Sequence, residues 1–230
     1  MPKQTFFNLP HEKRGMIEQA ALDEFAEYGF DNSNMNRIVA NSKIAKGSFY
    51  QYFEDKKDVY FHLIDVIVKQ KMDSLEPLMS TYERNSFSYN FEETFRLGLE
   101  FADSQPKYYL LGEDFANKQP EFIKEFIEKY DPLAMDVYLK FLERARETGE
   151  LREGIDIPIT ASFISTLVNE TTVGLIARGV SNDRRDYIIS ELIGFIERSI
   201  LASQGNSNES GVCGIGFEAE GRLTTAAGGR

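Results

Sequence analysis

The sequence is poor in the residue types that build most catalytic and metal sites. Its 230 residues include two histidines, one cysteine and no tryptophan. The single cysteine, Cys213, excludes an intrachain disulfide. No phosphate-binding loop, HExxH helix or GxSxG nucleophile elbow occurs in the chain. The sequence therefore predicts no catalytic residue, no bound metal and no cofactor.

Long apolar runs are also lacking. No stretch approaches the ~20 apolar residues that a membrane-spanning helix needs, and residues 1–15 lack the apolar segment and cleavage site of a signal peptide. With 42% hydrophobic and 27% charged residues, the composition is ordinary for a globular chain that can bury a sizeable core. We therefore expect a cytoplasmic protein that has no membrane partner.

The chain has a formal net charge of −11, which by itself argues against a nucleic-acid partner. The excess of acid is unevenly distributed, however. Residues 1–60 hold 8 Lys or Arg and 9 Asp or Glu, whereas residues 61–230 hold 18 and 28. A near-neutral head on an acidic body fits a DNA-binding domain whose body is repelled by phosphate. Ordinary solvated surface charge explains the same pattern equally well.

Apolar residues recur at helical spacing along most of the chain, and no alternating strand pattern is evident. The stripe of Ile17, Ala21 and Phe25 predicts a first helix over 11–28, which Gly29 should end. The composition changes only at 204–230, where glycine and small polar residues dominate. This segment is predicted to be a disordered tail, and its composition leaves open whether it is native sequence.

Two short helices and one long helix are predicted after the first. Ser33 is a good N-cap for the first short helix, and the second runs over about 45–53. Asp55 can cap the long helix, which Pro77 limits. Further helices are predicted at 91–104, 106–117, 120–130, 132–148, 157–179 and 183–203.

Two short helices joined by a tight turn are the arrangement of a helix-turn-helix. In this motif the second short helix lies in the major groove of DNA. Phe49 and Phe53 share one face of that helix, and we expect them to anchor it to the core. Gly47 would allow close approach to phosphate, and Lys46 with the free amides at the helix start suits an anion.

The segments 25–30, 33–39 and 46–56 together resemble the N-terminal signature of the TetR (tetracycline-repressor-like) family of transcriptional regulators. Residues 149–156 resemble the turn that this family often places before its two dimerisation helices. The resemblance implies an all-α fold. An N-terminal three-helix helix-turn-helix DNA-binding domain is followed by a larger helical ligand-binding and dimerisation domain. We expect the domains to span 1–54 and 55–203.

The resemblance also implies a DNA-contacting role for individual residues. Ser33 would cap the bracing helix and touch a phosphate, and Lys46 would open the recognition helix. Gln51 could pair with adenine and Arg37 with guanine, while Lys56 would reach phosphate. The full predicted set is Ser33, Asn34, Asn36, Arg37, Lys43, Lys46, Gly47, Ser48, Tyr50, Gln51, Tyr52 and Lys56.

Two positions depart from the family pattern. Lys43 stands where the turn usually has glycine, so it must accept a left-handed backbone at about 1 kcal/mol, or the turn must differ. Ala45 replaces the usual serine cap, a loss that costs about 0.5–2 kcal/mol. We expect the motif to survive, with an added positive charge at the DNA face.

The two final helices carry broader apolar arcs than a helix that covers one core needs. One stripe would pack on the protomer and the other on a partner, which predicts a two-fold homodimer through about 157–203. Such a dimer would hold its recognition helices about 34–36 Å apart, matching successive turns of a palindrome. The alternative is a simple central pair of core helices.

The middle helices are rich in aromatic residues, which can line a pocket for a small hydrophobic or aromatic effector. Proteins of the family that the chain resembles generally hold an inducer in this region. Such aromatic residues more often pack in an ordinary core. The polar residues Asn169 and Glu170 more often face solvent or the dimer interface. The predicted ligand-binding residues are Phe91, Phe95, Tyr108, Tyr109, Phe115, Tyr138, Phe141, Asn169 and Glu170.

These features predict a DNA-binding transcriptional regulator, specifically a ligand-responsive repressor that binds a palindromic operator in double-stranded DNA as a dimer. An alternative is a helical small-molecule-binding adaptor without DNA binding, which the changes at Lys43 and Ala45 keep open. The sequence identifies neither the effector nor the operator.

Overall fold

The computed structural model describes residues 2–177 and 180–202, so the predicted tail at 204–230 lies outside the described residues. Within this part the chain is helical, and the strand pairing present is one isolated bridge between Leu151 and Leu201. The predicted all-α fold class is therefore confirmed. Over the same residues, no helix combines the length and apolarity needed to cross a membrane.

The described helices follow one another with short connections, and a 3₁₀ turn at Tyr82–Arg84 joins the fifth to the sixth. In chain order they are α1 (Gln4–Phe7), α2 (His11–Asn32), α3 (Met35–Asn41), α4 (Lys46–Tyr52), α5 (Lys56–Met79), α6 (Phe87–Ser104), α7 (Pro106–Ala116), α8 (Pro120–Glu147), α9 (Ile157–Ala177) and α10 (Asn182–Ile200).

Helix α2 breaks where the sequence predicts. Gly29 has φ 67° and ψ 174°, so the backbone leaves helical geometry there before one more turn leads to Asn32. The predicted cap of α3 was wrong, because Asn34 is the capping residue and accepts from the amide of Asn36 at 2.8 Å. Ser33 instead donates its hydroxyl to the carbonyl of Phe30 at 2.7 Å.

Two predicted boundaries in the middle of the chain were also wrong. Helix α8 runs through Pro132 as one helix instead of ending before it. A proline removes one intrahelical hydrogen bond, and packing on both sides of Pro132 holds the helix together. Helix α6 starts at Phe87, before the predicted start, because Ser86 caps it by accepting from an amide in its first turn.

Buried apolar side chains form two clusters. The head core contains residues of α1 to α4, the beginning of α5, Leu111 of α7 and Phe126 of α8. The body core contains residues of α6, the second half of α8, α9 and α10, together with Leu78 near the end of α5. Helices α5 and α8 therefore contribute to both clusters, and the division of domains at residue 54 stays a prediction.

Candidate functional site

The turn between α3 and α4 keeps helix-turn-helix geometry despite its unusual residues. Lys43 has φ 55° and is the only non-glycine residue with positive φ among those described. Of the two alternatives for this turn, the left-handed conformation of Lys43 is the one that the structure shows, at about 1 kcal/mol. Ser42 is fully buried and donates to the carbonyl of Val39 at 2.9 Å. Ala45 begins α4 without a side-chain cap.

The recognition helix α4 is anchored by the two predicted phenylalanines. Phe49 and Phe53 have no exposed surface, and their ring centroids lie 5.3 Å apart. Because these rings hold one face against the head core, the opposite face is presented outward. Its exposed members are Lys46, Gly47, Tyr50 and Gln51, while Ser48 and Tyr52 are half-buried.

Arg37 is bound to a carboxylate of the protein itself, and its predicted pairing with guanine stays a prediction. Its Nε lies 2.9 Å from both carboxylate oxygens of Glu24, and its Nη2 lies 2.5 Å from one of them. The guanidinium also stacks over Tyr28, 4.3 Å from the ring centroid. Arg37 thus ties α3 to α2, as a positioning residue for the motif.

Glu24 is the buried partner in this contact. Its side chain keeps 2% of its surface exposed and also accepts from the amide of Asn34 at 2.7 Å. Burial alone would raise its pKa, but the hydrogen bonds from Arg37 and from this amide together lower it. The carboxylate therefore stays ionised and fixes the start of α3.

Lys56 also points inward, and its predicted phosphate contact stays a prediction. Its ammonium donates to the carbonyl of Phe30 at 2.5 Å and to those of Asp31 and Ser33 at 3.3 Å. A cation at this place satisfies carbonyls that the end of α2 leaves unpaired. The sequence did not predict these contacts of Lys56, because the acceptors lie far earlier in the chain.

The N-terminal segment closes the end of the recognition helix, a role that sequence reasoning missed. The amide of Lys3 donates to the carbonyl of Tyr52 at 2.8 Å, and its ammonium donates to that of Tyr50 at 3.2 Å. The hydroxyl of Thr5 donates to the carbonyl of Gln51 at 2.5 Å. The last carbonyls of a helix have no partner inside it, so this segment supplies them.

Phe6 holds this segment in place. It is fully buried, with its ring centroid 4.8 Å from that of Phe53 and 5.0 Å from that of His62. The signal that could have revealed this contact is the apolar pair Phe6 and Phe7 in an otherwise polar start. The exposed face of α4 is thus supported from both of its ends.

A carboxylate joins the head to α7. Asp114 accepts from the amide of Phe30 at 3.1 Å and from the hydroxyl of Tyr60 at 2.6 Å, and Lys118 lies 3.1 Å from its other oxygen. Burial and this hydrogen bond raise the pKa of Tyr60. A Cβ on Gly29 would lie 2.9 Å from the same carboxylate, so glycine is needed there for space as well as for its positive φ.

A cavity of about 70 Å³ lies between α5, α6, α8 and α9. Two of the predicted ligand-binding residues, Phe95 and Tyr138, line it. The remaining lining residues are Lys71, Met72, Ser74, Leu75, Thr94, Gly98, Ala134, Val137, Ser165 and Val168.

The other predicted ligand-binding residues lie elsewhere. Phe91 and Phe141 are fully buried in the body core, whereas Tyr108 and Phe115 pack against the head core. Tyr109 and Glu170 also lie outside the cavity lining. Tyr109 is half-buried and Glu170 is exposed. The side chain of Asn169 lies outside the described residues.

Helices α9 and α10 divide their apolar residues between two faces. Ile164 and Val168 of α9 and Ile196 of α10 are buried in the body core. Large side chains remain exposed on the other face, at fractions of 40% to 65%: Ile159, Phe163 and Leu167 of α9 and Tyr187 and Phe195 of α10.

Together, the bracing helix, tight turn and outward recognition face define a DNA-binding protein of the helix-turn-helix class. Residues 17–63 match the family model of the bacterial regulatory proteins of the tetR family. The predicted resemblance to the TetR family of transcriptional regulators is thus confirmed over these residues. DNA-binding regulation is thereby supported over an adaptor without DNA binding.

Relatives resemble the chain over most of its length. The HTH-type transcriptional regulator YvdT of Bacillus subtilis (strain 168) is 24% identical over 205 residues, which cover 87% of this chain and 98% of the relative. A TetR family transcriptional regulator from Chloroflexus aurantiacus J-10-FL is 26% identical, with a TM-score of 0.62 and coverage of 88% and 99%. FadR from Bacillus subtilis in complex with stearoyl-CoA is 16% identical, with a TM-score of 0.62 and coverage of 80% and 95%. Each of these three proteins is named as a transcriptional regulator.

Proposed function

We propose that this protein is a cytoplasmic, ligand-responsive repressor that binds a palindromic operator as a homodimer. The observation that carries the proposal is the outward face of α4, which two fully buried phenylalanines hold in place. Residues 1–54 would form the DNA-binding domain and residues 55–203 the effector-binding and dimerisation domain.

Contact with DNA would come from the exposed polar residues of the motif. Lys43 and Lys46 would neutralise phosphates, and Tyr50 would donate its hydroxyl to another. Gln51 is exposed and can pair bidentately with adenine. Arg37 has no place in this set, because its guanidinium is already bound to a carboxylate.

Dimerisation would bury the exposed apolar face of α9 and α10. Phe163 and Phe195 are 65% and 57% exposed, and clustered apolar side chains of this size mark interaction sites. In a two-fold interface the same patch serves both chains. Two helices from each protomer would then form a four-helix contact, with both recognition helices facing the DNA at successive turns of the palindrome.

Effector binding would act through α5. This helix lines the cavity at one part and contributes to the head core at its beginning. A ligand changes DNA affinity only if it binds one head arrangement better than the other. FadR in complex with stearoyl-CoA supports this proposal, because a similar fold accommodates a ligand.

The test is fluorescence anisotropy of the full-length protein with a labelled duplex from the region upstream of its own gene, at two salt concentrations. We expect saturation at two or four chains per duplex. Lys46→Ala should weaken binding to every duplex and reduce the salt slope by about 1, whereas Gln51→Ala should mainly relax sequence choice. Lys124 is 74% exposed on α8, so Lys124→Ala is the control, and we expect it to leave the salt slope unchanged.

Absence of binding to any duplex at low salt would contradict the proposal and favour the adaptor. A monomer by light scattering, or a Phe163→Asp variant with unchanged dimer stability, would contradict the assignment of the interface to α9 and α10. Binding only to the duplex upstream of another gene would show that the protein regulates a different gene, and the proposal of a DNA-binding regulator would stand.

A further inference from the structure

The cavity has apolar walls and three polar residues that have no partner in the described part of the chain. Lys71, Tyr138 and Ser165 line it. Among the described backbone and side chains, the ammonium of Lys71 and the two hydroxyls have no hydrogen-bond or ion-pair partner. The other two hydroxyls on the lining are already engaged, since Ser74 donates to the carbonyl of Lys71 at 2.7 Å and Thr94 donates to that of Asn90 at 2.8 Å.

Lys71 is the cation among these groups. Taken over the whole residue it is solvent-accessible, whereas desolvation lowers the pKa of its ammonium. Lys71 lines the cavity, so the two observations agree if its side chain extends into this cavity and solvent can reach the cavity. A desolvated cation without a partner is unfavourable, so an anion beside it would be bound strongly.

Tyr138 adds a hydrogen-bond donor to the same cavity. The residue is 7% exposed, and burial raises the pKa of its phenol, so the hydroxyl keeps its proton at neutral pH. Ser165 is 5% exposed and provides a second hydroxyl. An ammonium and two hydroxyls form a donor set that suits a carboxylate.

We propose that the effector is an amphipathic monoanion whose carboxylate binds Lys71 and Tyr138 and whose apolar tail lies along Leu75, Phe95 and Val168. This inference names the effector class of the proposed function and therefore rests on it. It also narrows the hydrophobic or aromatic effector that the sequence predicts, because an uncharged ligand would leave the ammonium without a partner.

The size of the cavity shows how such a ligand would affect the fold. A volume of about 70 Å³ is roughly half that of an engineered cavity of about 150 Å³ that binds benzene. A tail of several carbons enters only if the surrounding helices separate. Gly98 borders this space, since a Cβ built on it meets no atom within 4 Å. Ligand binding is thus coupled to the packing of α5 against α6, α8 and α9.

The experiment is isothermal titration calorimetry of the full-length protein with decanoate, and with decan-1-ol as the uncharged probe of equal length. We expect one decanoate per chain, bound roughly 10- to 100-fold more tightly than the alcohol. Lys71→Met should remove this preference by weakening decanoate alone. Lys69→Met is the matched control, because Lys69 is exposed on the same helix and outside the cavity lining.

A second variant tests the tail independently of the charge. Gly98→Leu should fill the cavity and prevent binding of both probes, while circular dichroism and the melting temperature report whether the variant stays folded. Equal affinity for decanoate and decan-1-ol would overturn the inference. So would decanoate binding that Lys71→Met leaves unchanged, or no decanoate binding to the wild-type protein.

DNA anisotropy on the same proteins separates this inference from the proposed function. Decanoate that binds through Lys71 without changing operator affinity would contradict the ligand-responsive repressor and support the assignment of the cavity. Operator binding that responds to uncharged effectors alone would contradict the assignment of the cavity and support the repressor.

Discussion

The polar groups of the head and those of the body cavity differ in how far they are used inside the protein. In the head, Arg37 binds a buried carboxylate and Lys56 binds three backbone carbonyls. In the cavity, Lys71 and Tyr138 have no such partner among the described residues. The charged groups of the head thus stabilise one arrangement of its helices, which suits a domain that recognises a rigid duplex. The ammonium in the cavity is available to a ligand, which suits an effector that binds reversibly.

The largest expected effect comes from the anchor of the recognition helix. Phe49→Ala should lower the free energy of unfolding by about 3–5 kcal/mol, because a fully buried ring is replaced by a cavity. Urea denaturation measures this change. Tyr50→Ala is the matched variant on the exposed face, and we expect it to weaken DNA binding with little loss of stability. Equal destabilisation by both variants would contradict the orientation of α4.

Glu24→Gln tests whether the charges of the head hold its shape. This substitution should lower the free energy of unfolding by about 1.5–3 kcal/mol at neutral pH, because the hydrogen bonds from Arg37 lose their charged acceptor. The pKa of Glu24 is lowered from 4.5 in the folded protein, so its stabilisation is present above that value. It is lost as the pH falls through the lowered pKa.

Urea unfolding of the wild-type protein and the Glu24→Gln variant over this acidic range measures the difference. We expect the gap between the two to close on acidification, because the wild-type carboxylate becomes protonated. A gap that stays constant or widens would mean that the charge on Glu24 contributes nothing to the head.

Asp114→Ala should break the contact between the head and α7. The amide of Phe30 and the hydroxyl of Tyr60 lose their acceptor, at about 1–3 kcal/mol for the partners left unsatisfied. We also expect the response of DNA affinity to effector to weaken. Asp136→Asn, which breaks an exposed ion pair with Lys140, is the control and should change stability by less than about 1 kcal/mol.

The smallest effect is expected at the N-terminal segment. Thr5→Val removes one hydrogen bond to the end of α4, which is worth about 0.5–1.5 kcal/mol. Operator affinity should fall severalfold, because the last turn of the recognition helix frays. Thr5→Ser keeps the hydroxyl and should restore binding, and a Ser variant as weak as the Val variant would point to packing instead of the hydrogen bond.

Features that depend on neighbouring residues could be predicted from the sequence. Gly29 ends regular helix, Lys43 takes a left-handed conformation, and the pair Phe49 and Phe53 anchors α4. Each of these follows from local backbone geometry or from the spacing of one helix. The prediction failed at Pro132, where the packing of both flanking segments outweighs a local helix-breaking tendency.

Features that depend on distant partners could not be predicted in this way. The acceptor of Lys56 lies 26 residues earlier in the chain, and that of Arg37 lies 13 residues earlier. The cavity requires four helices to meet, so aromatic content alone selected residues such as Phe141 that belong to the core. Lys71 carried no signal, because an isolated lysine within a helix is usually solvated.

The position of the N-terminal segment has a practical consequence for anyone who purifies this protein. Pro2 is buried, and the next residue already bonds to the recognition helix through its main chain. An affinity tag fused ahead of this segment would lie beside the DNA-binding face. A run of histidines there would obstruct the operator or displace the segment from the end of α4. A tag at the opposite terminus, or one removed without leaving a scar, would let measured affinities report the protein itself.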